Sequence, residues 1–132
     1  METIQALLSE FQSCSTSEER LEWLVSRQPN HPPLAQGDLN DELLVPECIS
    51  RLWFRAEQQG GQYIFRVRSD SKVVQSIAAF ICDLYSDLSS DEIITAGAAG
   101  LRALKLEELL SFNRRRTIER LWSMIHAAAL AR

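Results

Sequence analysis

Along the chain, apolar positions alternate between a helical period and a period of two, with polar punctuation at each switch. Ile4, Leu7, Leu8 and Phe11 recur at helical spacing. Thr16 and Glu19 then have capping-box spacing ahead of Leu21, Leu24 and Val25, which predicts two short opening helices. The run Gln28-Pro29-Asn30-His31-Pro32-Pro33 ends them, because proline lacks a backbone donor and pushes the preceding residue out of helical geometry. An extended surface connection follows through Gly37 to Asp41, and Leu43 to Val45 is expected to add a short strand.

From Cys48 the period becomes two, with Leu52, Phe54 and Ala56 on one side and Arg51, Trp53, Arg55 and Glu57 on the other. Gly60-Gly61 supplies a tight turn, and Tyr63, Phe65 and Val67 alternate with Ile64, Arg66 and Arg68 to complete a hairpin. Ser69-Asp70 offers an N-cap to a helix whose stripe is Val73, Val74, Ile77, Ile81, Leu84 and Tyr85, widened by Phe80. Ser89 and Glu92 repeat the capping-box spacing before Ile93 and Ile94, Gly97 ends that helix, and Gly100 punctuates the next. Leu101, Leu104, Leu106 and Leu109 supply core contacts, and a last helix from near Asn113 carries Ile118, Leu121, Trp122 and Ile125 on one face. The expected fold is α+β: a small antiparallel sheet of about three strands packed with several helices, in a single domain over residues 1–132.

Charge narrows the partner classes. The formal net charge is −4, so long-range attraction to nucleic acid or anionic lipid is not expected, and any positive patch must be local. The opening residues lack the basic flank and continuous apolar core of a signal peptide, and no run approaches the roughly 18 apolar residues of a membrane span. A cytoplasmic protein with no membrane partner is expected. Three widely spaced cysteines, Cys14, Cys48 and Cys82, suggest neither a disulfide framework nor a metal site, and no bound cofactor is expected. His31 and His126 read as surface or packing residues, and Trp23 and Trp122 as core or interface aromatics.

Two places could carry chemistry. Cys82 lies beside a core stripe and Cys14 near a helix end, where a thiol is usually an inert small hydrophobe. Cys48 instead follows Pro46 at the base of a strand, with Arg51 and Arg55 near in sequence to favour a thiolate and Glu47 next door to oppose it. From these residues alone, Cys48 reads either as a reactive thiol or as a packed one. The second place is Asn113-Arg114-Arg115-Arg116-Thr117, where three cations in a first helical turn oppose the helix dipole. That run reads either as a binding surface for an acidic partner or anion, or as a solvated face relieved by Glu119.

The order of features resembles the SufE family of sulfur acceptors. Val45-Pro46-Glu47-Cys48-Ile49-Ser50 leads to Leu52-Trp53, then come the glycine-turn hairpin, Ser69-Asp70 before an apolar helix, Tyr85 at that helix's end, and Leu110-Ser111 followed by Arg114. The resemblance runs from Phe11 to about Ala127 and implies a fold similar to the IscU scaffold. It also implies that Cys48 carries a persulfide, accepted from a SufS-like, pyridoxal-phosphate-dependent cysteine desulfurase and passed toward an iron-sulfur scaffold. Ser50, Trp53 and Asp70 match family positions around that loop, Arg114 matches an arginine beside the loop and docking surface, and Arg51 is expected to join them. Glu47 stands where the family has glycine, Ile49 where it has Gln, Leu52 where it has Val, and Ser76 and Thr117 at two helix glycines. Two alternatives remain on the residues: a desulfurase-binding regulatory module with weakened transfer, and a thiol-redox enzyme, which would need a resolving cysteine.

Overall fold

The structure, a computed structural model, describes residues 4–46 and 50–131. Two helices open it, α1 (Ile4–Gln12) and α2 (Ser17–Arg27). Thr16 caps α2 by accepting the Glu19 N–H at 3.1 Å, while the Glu19 carboxylate accepts the Ser15 N–H at 2.9 Å. Phe11 packs against Phe80 and edge-on to Trp23, with ring centroids 5.8 and 6.2 Å apart, so the helical pair closes over an aromatic cluster.

The sheet is the hairpin β1 (Leu52–Gln59) and β2 (Gln62–Ser69), in register from Leu52 opposite Ser69 to Gln59 opposite Gln62. Gly60 and Gly61 both have positive φ, 58° and 83°, the backbone that a two-residue hairpin turn demands. The expected third strand is corrected to an isolated bridge of Leu44 with Trp53. Only the Leu43 carbonyl and the Val45 N–H reach β1, at 2.9 Å from the Phe54 N–H and 2.7 Å from the Leu52 carbonyl, because a turn precedes Leu44 and Pro46 follows Val45.

A two-stranded sheet leaves edges to satisfy, and here the outer edge of β2 is capped from elsewhere in the chain. The Phe65 N–H is accepted by Ser86 Oγ at 3.0 Å, the Val67 N–H by His31 Nε2 at 3.2 Å, and the Ser69 N–H by Gln75 Oε1 at 2.6 Å. The Tyr63 N–H goes to the Leu88 carbonyl at 2.8 Å. Each second residue of β2 buries its side chain and points its N–H to this capped edge, so burial and hydrogen bonding share one period.

Behind the hairpin lies α3 (Lys72–Tyr85), with eleven of its fourteen residues buried, which makes it apolar nearly all round, as a central helix must be. It touches β2 on one side and α2 and α6 on others. Its N-cap is Ser71, which accepts the Val74 N–H at 3.3 Å, correcting the expectation of Ser69-Asp70. Those two residues are used otherwise, as described below. The short α4 (Ser90–Ala96) starts with the expected Ser89/Glu92 capping box and stops at Gly97; α5 (Ala99–Ala103) follows, and α6 (Phe112–Leu130) completes the chain. Leu104 and Leu106 are buried as expected, whereas Leu101 and Leu109 are only partly so. The Tyr85 hydroxyl donates to the Gly97 carbonyl at 2.6 Å and accepts the Gly100 N–H at 3.3 Å, tying the α4–α5 junction to the core helix.

Candidate functional site

Cys48, with Glu47 and Ile49, lies outside the described residues, so the site is built from the residues that flank it on each side. On the leading side Val45 is buried and its N–H is held by Leu52, leaving Pro46 exposed at the point of departure. On the returning side Ser50 is half-buried, Arg51 is exposed, and Leu52 is fully buried as the first residue of β1. Both feet of the loop therefore stand on one patch of core, joined directly by the Val45 to Leu52 bond.

Asp70 fixes the returning foot. Its Oδ1 accepts the Arg51 N–H at 3.1 Å, and its own N–H donates to the Arg51 carbonyl at 3.3 Å, so one residue holds both backbone polar groups of Arg51. Behind it, Ser69 Oγ accepts the Ser71 N–H at 3.2 Å, and Gln75 holds the Ser69 N–H. The loop foot is thus coupled to the first turn of α3 through a chain of short-range bonds. The side-chain carboxylate, not a helix cap, is what the Ser-Asp pair supplies.

Trp53 is half-buried on the outer face of the hairpin, opposite Arg68 and bridging Leu44. Arg55, on the same face, is engaged with Asp38 at 2.8 Å and Glu57 at 3.4 Å, and Glu57 also pairs with Arg66 at 3.1 Å. Of the two cations expected near the thiol, Arg55 is thus partnered away from the loop foot, while Arg51 is in no ion pair among the described residues. Ser50, Arg51, Trp53 and Asp70 come together at one end of the hairpin. Arg114 sits exposed in the first turn of α6, and no hydrogen bond or ion pair among the described residues joins it to them.

Of the two other cysteines, Cys82 is unsuited to exchange. Cys82 is fully buried, and burial first and the neighbouring Asp83 carboxylate second push its thiol well above the ordinary range, so the nucleophilic thiolate is suppressed. Cys14 is half-buried with its sulfur 4.0 Å from the Glu10 carbonyl, and both thiols are free. His31 has no spare nitrogen: Nε2 accepts from Val67 and Nδ1 lies 2.7 Å from Asp83 Oδ1, which sets the neutral tautomer with the proton on Nδ1. It is a buried packing histidine. His126 stacks on Trp122 at 5.5 Å.

One feature is not legible in the sequence. Gln75 is a polar residue inside an apolar helix, where it reads as a break in the stripe, although a buried amide always needs partners. The relief of the α6 arginines by Glu119 was one of two readings, yet no ion pair joins Glu119 to Arg115 or Arg116.

With the loop and fold in place, a family model described as "SufE: Fe-S metabolism associated domain" matches residues 5–129. The chain belongs to the SufE family. That family is associated with iron-sulfur metabolism. A chloroplastic quinolinate synthase of Nicotiana tabacum is 26% identical over 108 residues, covering 80% of this chain, and this chain spans only 15% of that protein's length. A hypothetical protein from Thermus thermophilus, solved in solution, superposes with a TM-score of 0.78 over 97% of this chain and 93% of its own, at 20% identity, which shows a shared fold.

The polar side chains of Ser76 on α3 and Thr117 on α6 are satisfied within their own helices. Ser76 and Thr117 are buried, and their hydroxyls donate to the carbonyls one turn back, Lys72 at 2.9 Å and Asn113 at 3.4 Å. Among the described residues no helix is long and apolar enough to cross a membrane.

Proposed function

We propose that the chain acts as one sulfur-acceptor module, in which Cys48 takes sulfane sulfur from a pyridoxal-phosphate-dependent cysteine desulfurase and relays it toward iron-sulfur cluster assembly. The observation that carries this reading is the SufE match on both sides of a loop whose feet are fixed by Val45, Leu52 and Asp70. The step balances simply. The Cys48 thiolate attacks the outer sulfur of the donor persulfide, the donor S–S bond breaks, a new S–S bond forms on Cys48, and the donor cysteine leaves as thiolate. No oxidant and no bound cofactor in this chain are required, and a reducing, cytoplasmic setting keeps the thiol available.

The protein's part is orientation. The residues on either side of Cys48 are hydrogen-bonded to the body of the fold, and docking would convert a bimolecular transfer into a local one. Further support comes for Arg114. The Tyr63 hydroxyl donates to the Ala128 carbonyl at 3.0 Å, which ties the far end of α6 to the turn end of the hairpin, and α6 packs against β1. A helix rise of about 1.5 Å per residue carries Arg114 roughly 21 Å back from Ala128, close to the roughly 20 Å that β2 runs from Tyr63 to Ser69. Were α6 to run back along the hairpin, Arg114 would stand near the end where β1 begins.

The test combines a desulfurase, cysteine and this protein, followed by mass spectrometry under non-reducing conditions. A Cys48 peptide heavier by one sulfur is expected, and its absence with the native desulfurase would sink the reading. The regulatory alternative rests on Glu47 beside the thiol. It is distinguished by Cys48→Ser, which would then stimulate desulfurase turnover as well as wild type does.

A further inference from the structure

At the start of α6 the structure exposes an aromatic ring among guanidinium groups. Phe112 is 63% exposed, and Leu130 is the other large hydrophobic residue exposed among those described. The Arg115 and Arg116 guanidiniums lie 5.7 and 5.9 Å from the Phe112 ring centroid. A phenyl ring in water gains nothing from that position, and cation–π contact at an exposed site returns only a fraction of what burial would.

The electrostatics are equally unfavourable in the free molecule. Arg114 and Arg115 stand in the first turn and Arg116 directly after it, at the positive end of the helix dipole, and Ser111 makes no side-chain hydrogen bond to cap it. None of the three is in an ion pair among the described residues, although Glu119 lies within a helical turn of Arg115 and Arg116. Acidic side chains elsewhere in the same chain are used: Asp38, Glu57 and Asp83 all take cations. A local cationic patch with an apolar centre, on a chain whose net charge is −4, is complementary to one kind of surface: an apolar side chain ringed by carboxylates.

We propose that Phe112, Arg115 and Arg116 form a docking patch for an acidic protein segment bearing an apolar anchor, carried by the desulfurase. The identity of that partner rests on the reading of the preceding subsection; the chemistry of the patch does not. Phe112 enters an apolar recess on the partner, and the guanidiniums meet carboxylates at its rim. Arg enrichment around a central aromatic is the composition of an interface hot spot. A nucleic-acid ligand is disfavoured by the acidic remainder of the molecule, which opposes approach of a polyanion.

The experiment measures binding of the full chain to the native desulfurase, at low and moderate salt, for wild type, Phe112→Ala, Arg115→Glu/Arg116→Glu, and the control Arg102→Glu/Lys105→Glu. The control makes the same charge change on exposed residues elsewhere. Thermal melting establishes that each variant is folded. The proposal expects about tenfold or greater weakening for both patch variants, a shallower salt dependence for the charge reversal, and less than about twofold change for the control. Unchanged affinity of the patch variants, with Cys48 persulfide still forming, overturns the patch and leaves the sulfur-acceptor reading standing. Equal weakening by the control overturns it in favour of general electrostatics. Tighter binding of a single-stranded oligonucleotide than of the desulfurase overturns the choice of a protein ligand. Wild type that neither binds the desulfurase nor gains sulfur overturns both readings together.

Discussion

At the scale of single residues, Asp70 is where structure adds most to sequence. A Ser-Asp pair before an apolar stripe is an N-cap pattern, but the cap falls to Ser71, and Asp70 is left to hold both backbone polar groups of Arg51. Its carboxylate accepts a backbone N–H without needing its charge, so Asn keeps the bond and Ala loses it. On the proposed sulfur-acceptor role, Asp70→Ala is expected to slow sulfur uptake by Cys48 about tenfold by releasing the Arg51 backbone, equivalent to roughly 1.4 kcal/mol in the barrier. Asp70→Asn should recover most of the rate. Single-turnover persulfide formation at saturating desulfurase separates the two, and equal loss in both variants would show that the charge, not the bond, matters.

Among elements, the free edge of β2 explains how a hairpin of only two strands becomes part of a core. Its N–H groups are met by His31 from the proline-rich connection, Gln75 from α3 and Ser86 just beyond α3. Gln75 also donates to the Val67 carbonyl at 3.4 Å, so Gln75→Met strands two buried backbone groups while keeping volume. A loss of about 2 to 4 kcal/mol is expected, read as a lower urea midpoint at unchanged slope. A change within about 0.5 kcal/mol would show that water replaces the amide. The same elements show what a sequence can disclose. The hairpin, the capping box of α4, the Thr16 cap of α2 and the stripe of α3 rest on contacts close along the chain, and all are readable as period and spacing. The edge caps join residues such as His31 and Val67 that are far apart in the chain, and no local pattern marks them. The loop of Cys48 was legible as a place, from Pro46 and the onset of alternation, whereas its anchoring was not. The third strand reduces to one bridge because a short apolar run does not reveal that a turn precedes Leu44 and Pro46 follows Val45.

For the whole molecule, the buried acids set a limit to alkaline stability. Burial pushes the Cys82 thiol well up, reinforced by Asp83, and burial likewise raises the Tyr85 hydroxyl, against smaller opposing effects of the Gly100 N–H and Arg102. In the unfolded chain these groups titrate near pH 8.5 and 10. Folding therefore favours their protonated forms, and the stability this contributes is complete below the unfolded values. Above about pH 8.5 the unfolded chain sheds the Cys82 proton while the native state keeps it, so stability falls with a slope of up to about 1.4 kcal/mol per pH unit from that group. The fall continues until pH passes the native value, and Tyr85 adds its share from about pH 10. Cys82→Ala removes one such group at the cost of a small cavity, so the variant should be less stable than wild type at pH 7 but lose less on going to pH 10. Urea unfolding under reducing conditions at both pH values gives the difference of differences. If the two proteins lose stability in parallel, Cys82 is not the acid that burial holds protonated, and the alkaline limit lies with other groups.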